Sequence, residues 1–151
     1  MGAKYSGFVS ATNTASTTVP MWALTGGTSK RVRLYHTIIG SVATPANQAA
    51  HFAIRRTTSA GTTSSSFTLT KLDPADPVAI AVMDLTWAVA PTITAASDLL
   101  VLPMNQQATV QWMVDPANGL VIPATSGAGL VQMSVATTSA AAFLHNIFLE
   151  E

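Results

Sequence analysis

Lys30-Arg31-Val32-Arg33-Leu34-Tyr35-His36-Thr37-Ile38-Ile39-Gly40 decides the fold class of this chain. Apolar and polar residues alternate with the period of two that belongs to a half-buried strand, not the 3.6 of a helix. Counting by two places Val32, Leu34, His36 and Ile38 on one face. A second such run, Gln48 to Thr57, turns Phe52 and Ile54 one way and His51, Ala53 and Arg55 the other. Working outward, Tyr5–Ala11, Val19–Thr25, Phe67–Thr70, Ala108–Val114, Leu120–Ile122, Leu130–Ala136 and Ala141–Leu149 read as further strands. Gly, Pro, Asn and Ser clusters punctuate them. Pro20 fits only a strand start or an edge, because it cannot donate to a ladder. Val78–Val89 is apolar on both faces, so periodicity leaves it open between a buried strand and a short helix. Thr57–Ser66, almost all Ser and Thr, reads as a mobile surface loop. Asp73-Pro74-Ala75-Asp76-Pro77 reads as a rigid turn, with each Asp able to bond nearby amides. Exposed-helix formers are scarce throughout. The expectation is an all-β protein, a jelly-roll-like antiparallel sandwich of roughly eight to nine strands. Residues 18–151 form its single domain, and residues 1–17 are an arm or a first strand that orders on a neighbour.

At 151 residues the chain is long enough to bury a core unaided, and with no cysteine it carries no disulfide or thiolate chemistry. The segment Met1–Gly7 lacks the apolar core of a secretory signal, and no run reaches the length of a membrane span, so the expectation is a soluble protein with no membrane partner. Only 9 % of residues are charged, against about 25 % in ordinary soluble domains. A surface so poorly charged, with zero net charge, is one that associates. The charges are also segregated. All seven cations lie between Lys4 and Lys71, and all seven acids between Asp73 and Glu151. Either the halves neutralise each other across strands of one chain, or they pair head to tail between copies. Arg31, Arg33, Arg55 and Arg56 are the cationic interface candidates, with Trp22 and Trp87 as aromatic ones. Seven dispersed cations with few aromatics make a poor phosphate footprint, so nucleic acid is not an expected partner.

No catalytic constellation emerges. His36, His51 and His145 are far apart and have no local carboxylate, so neither a metal nor another cofactor is expected. Asp84 and Asp98 sit in apolar runs as solvated or capped strand residues. There is no nucleophile elbow, phosphate loop or dinucleotide fingerprint. The chain is not expected to be an enzyme.

Several stretches together resemble a known group. They are Lys71-Leu72-Asp73-Pro74-Ala75-Asp76-Pro77, Met104-Asn105-Gln106-Gln107-Ala108-Thr109 ahead of Trp112, Asn118-Gly119-Leu120-Val121-Ile122-Pro123-Ala124-Thr125, and a last strand ending Glu150-Glu151. The combination is similar to small all-β structural proteins of tailed bacteriophages, head decoration (cement) proteins above all. The resemblance implies a virion protein on the capsid surface, bound to the major capsid protein and to itself, as a homotrimer. It implies no catalytic residues. The other expectation from the residues is a carbohydrate-binding sandwich, a tail- or head-associated adhesin with Trp22 or Trp87 as its platform.

Overall fold

Alternating side chains at this density bury themselves by stacking two sheets, and the computed structural model has that architecture; it describes residues 2–14, 19–125, 127–135 and 139–151. The strands are β1 (Lys4–Thr12), β2 (Val19–Thr25), β3 (Val32–Ser41), β4 (Ala49–Ser59), β5 (Thr62–Phe67), β6 (Thr70–Lys71), β7 (Val82–Val89), β8 (Thr92–Asn105), β9 (Val110–Met113), β10 (Leu120–Ile122), β11 (Gly129–Ser134) and β12 (Ala142–Glu150). Sheet I runs β10-β3-β12-β1-β6, with β9 beside β10 on the same flank of β3. Sheet II runs β5-β7-β2-β11-β4-β8. All the pairings are antiparallel.

The order is that of a jelly roll. The first strand lies beside the last, β12 beside β3, and β3 beside β9 and β10; in the other sheet β2 lies beside β11, β11 beside β4, and β4 beside β8. The insertion β5–β7 extends both sheets on the β1/β2 side. The inward row of β12, Phe143, His145, Ile147 and Leu149, meets Trp22, Leu24, Phe52, Ile54 and Leu130 of sheet II in one continuous core. A smaller cluster lies on the outer side of sheet II, where Trp87 and Ile93 pack on Ala23, Val131 and Met133.

Three expectations change, and one strand runs on through a residue that usually stops one. His36 does not face the core: Tyr35 is an extra residue opposite β12, since Leu34 pairs with Leu149 and His36 with Phe148. That bulge reverses the alternation, so Thr37 and Ile39 turn inward while His36 stacks on Phe148 outside, ring centroids 4.8 Å apart. Thr57–Ser66 is not a loop but the end of β4, a tight turn and all but the last residue of β5. At the turn Gly61 has φ +75°, and a Cβ there would strike the Val89 carbonyl at the β7–β8 turn. Val78–Val89 divides into a non-strand segment, exposed at Val78 and Ile80 and buried at Ala81, and β7. Finally, β8 runs through Pro103, tolerated because β8 is an edge strand. The N-terminal stretch is a first strand within its own sheet, at least over Lys4–Thr12, and the boundary at residues 17 and 18 lies outside the described residues.

Candidate functional site

Two surfaces stand out, and both are built around the chain ends. The first is a charged stripe across one end of the outer face of sheet I. Lys4 on β1 pairs in register with Glu150 on β12, and Glu150 with Arg33 on β3. All three point outward, because their inward neighbours Tyr5, Leu149 and Leu34 fill the core. Asp115, near the start of the β9–β10 connection, joins them around a hollow of about 300 Å3. Glu150 also accepts the Gly2 amide at 2.6 Å. Burial, then the Glu150 charge, pushes the neighbouring Tyr35 phenol up from its ordinary value.

Beyond the stripe this face carries no charge. Its outward rows hold Ser6, Phe148, His36 and Met113, then Phe8, Asn146, Ile38 and Gln111, then Ser10, Leu144 and Gly40. Around Gly40 lies a second hollow of about 190 Å3, lined by Ile38, Val42, Thr109, Leu144 and Asn146 among others.

The second surface is an apolar corner at the free side of β1. Phe8 and Phe67 meet edge to face at 4.9 Å. Val78, 70 % exposed, and Val82 stand with Phe67 around a hollow of about 210 Å3. The sequence places Val78 there by anchoring its flanks. The Asp73 carboxylate accepts the Ala75 amide at 2.9 Å and Asp76 N–H closes the turn onto the Asp73 carbonyl at 3.0 Å. Lys4 N–H donates to Asp76 Oδ2 at 3.2 Å, and Tyr5 Oη donates to the Pro77 carbonyl at 3.1 Å. The Glu151 carboxylate accepts the Ile80 and Ala81 amides, the latter at 2.7 Å. Burial, with Glu151 and Asp76 behind it, pushes the Tyr5 phenol up.

The expected interface residues do not converge. Arg31 is exposed just before β3, and Arg33 belongs to the stripe. Arg55 is paired with Asp98 on the neighbouring strand β8. Arg56 reaches across to sheet I and donates to the Val121 carbonyl at 2.8 Å, tying the two sheets together at their rim. Neither of these two is a free cation awaiting a neighbour. Trp22 is fully buried, so it is core and not an interface anchor, and Trp87 is committed to the cluster outside sheet II. The segregated charges largely meet within one chain: acidic β12 lies between basic β1 and β3, and Asp98 meets Arg55.

The titratable candidates are equally dispersed. His36 lies outside sheet I, His51 on β4 points opposite to buried Phe52, and His145 is enclosed in the core against Phe52 at 5.0 Å. The three directions exclude a shared ligand. Burial lowers the His36 pKa and drops that of His145 to about 3. Asp84 is buried and its carboxyl is raised by burial, with a Thr63 hydrogen bond pulling the other way. Among the described residues no group of three or more His, Asp or Glu is placed to hold a metal.

Sequence reasoning missed Glu150, Asp115, Phe8 and Val78. The signal was available for the first: Lys4 and Glu150 begin and end the first and last strands, which a jelly roll sets side by side. No protein-family model matches the chain, and no curated protein matches it in sequence.

Proposed function

We propose that this chain is a virion structural protein, a decoration or cement protein that binds the outside of an icosahedral phage capsid and reinforces it. The observation that carries the reading is the apolar corner at Phe8, Phe67, Val78 and Val82, held out to solvent by hydrogen bonds from both chain ends. A contiguous exposed apolar cluster of this kind is the sort of patch that marks a protein-contact surface. The jelly-roll sandwich, the low charge and the resemblance of the turn and strand-edge motifs support the same reading. The partner is the major capsid protein, alongside other copies of this chain. No cofactor and no catalysis are needed. Binding to the assembled shell and not to its free subunits stabilises the shell by linkage.

The carbohydrate-binding alternative needs an exposed aromatic platform at Trp22 or Trp87. Trp22 lies in the core and Trp87 is packed on Ala23, Val131 and Met133.

The test is thermal challenge of heads made without the protein. They should lose DNA or rupture at lower temperature than complete heads. Add-back of the wild type should restore resistance, and add-back of Val78→Asp should not. Heads that survive equally well without the protein would sink the cementing role.

A further inference from the structure

The two outer faces of the sandwich are finished differently. Outside sheet II, Trp87 and Ile93 cover Ala23, Val131 and Met133. Sheet I has no such cover among the described residues: Phe148, Leu144, Ile38 and His36 are half-exposed and Met113 is fully outward. By register the charged stripe at the end of this face runs Lys4, Glu150, Arg33, and Asp115 follows on the far side of β3, one residue past Val114, whose N–H donates to the Tyr35 carbonyl, so the signs read plus, minus, plus, minus around the shared hollow. Such a row is antisymmetric about the line between β12 and β3. A two-fold axis along that line turns every charge onto its opposite.

We propose that two copies of the chain pack sheet I against sheet I, about a two-fold axis parallel to the strands between β12 and β3. Glu150 then faces Arg33 of the second copy, and Lys4 faces Asp115 of the second copy, each pair occurring twice. The same operation acts on the apolar rows. Leu144 and Gly40 are register partners across that line, so Leu144 is carried over the second copy's Gly40. There the missing Cβ leaves the hollow lined by Ile38, Thr109 and Asn146. Like meets like only on the axis itself, as an isologous contact requires. Strand spacing and rise make the four-strand face about 600 Å2 on each copy, or about 1,200 Å2 in total, at the lower edge of specific interfaces. The apolar rows supply the adhesion, and the four charge pairs fix register and exclude offset packing. The contact meets the apolar corner only at Phe8, and it does not depend on the capsid reading.

The test is sedimentation equilibrium of the purified full-length chain over a micromolar to millimolar range. The expected species has twice the 15.7 kDa chain mass. Arg33→Glu should raise the dissociation constant by about tenfold or more, because it sets like charges opposite each other twice. Adding Glu150→Arg to Arg33→Glu restores the antisymmetry and should recover the dimer. Leu144→Asp should abolish it without touching the stripe, and circular dichroism checks that each variant stays folded. A monomer at every concentration, a species of odd copy number, or a dimer indifferent to both Arg33→Glu and Leu144→Asp would overturn the proposal.

Discussion

His145 shows how one residue can set the conditions under which this sandwich holds. It is fully buried beside Phe52 and Phe143, and among the described residues neither ring nitrogen has a hydrogen-bond partner. The neutral form is therefore strongly preferred, with the folded pKa at about 3 against an ordinary value of 6.5. Below 6.5 the unfolded chain takes up a proton that the folded chain refuses. The stabilising contribution is complete above that pH and is lost progressively as pH falls toward 3. From pH 7 to pH 4 this one group should cost about 3 kcal/mol of stability. Denaturant titrations of the wild type and His145→Leu should diverge across that window, with the variant falling less steeply. Parallel curves would show that His145 is not what the acid attacks. Periodicity could not reveal this, because a histidine at a period-two inward position looks the same whether or not a partner awaits it. His36, read as the inward one, is outside because of the bulge at Tyr35.

At the scale of elements, the Ser/Thr-rich run is the place where sequence and structure part most. Thr62–Phe67 forms an edge strand with hardly any apolar residues, held by the ladder to β7 and by a hydroxyl pair, Ser65 and Thr86, at 2.7 Å. Periodicity needs apolar residues to report a strand, so Ser and Thr alone are silent. The turn before it is locked to the β7–β8 turn at Gly61. Gly61→Ala should cost about 1–3 kcal/mol, combining a positive φ with a clash against backbone, and a urea midpoint unchanged from wild type would contradict the interlock. Where apolar residues do alternate, the reading was sound: Val19–Thr25 and Leu120–Ile122 are strands with the expected bounds. The arginines illustrate the other limit. Composition reveals four arginines, but the carbonyl that accepts Arg56 belongs to Val121, 65 residues away, and only the wrapped topology brings it near.

Across the whole molecule, the jelly roll brings the chain ends together and spends them on surface construction. β1 and β12 carry the charged stripe, and Glu151 and Lys4 fasten the apolar corner. The segregation of charge along the sequence thus becomes a row of alternating signs in the fold, because an acidic last strand inserts between two basic early ones. The result is a weakly charged sandwich with two surfaces that the proposed shell contact and the proposed dimer would cover. The proposed cement role is tested most directly by quantitative mass spectrometry of phage particles purified from cells that express this chain. The account predicts the protein at a copy number comparable with that of the major capsid protein, released only when the shell itself is disrupted. Its absence from purified particles, or its presence at a few copies each, would contradict it.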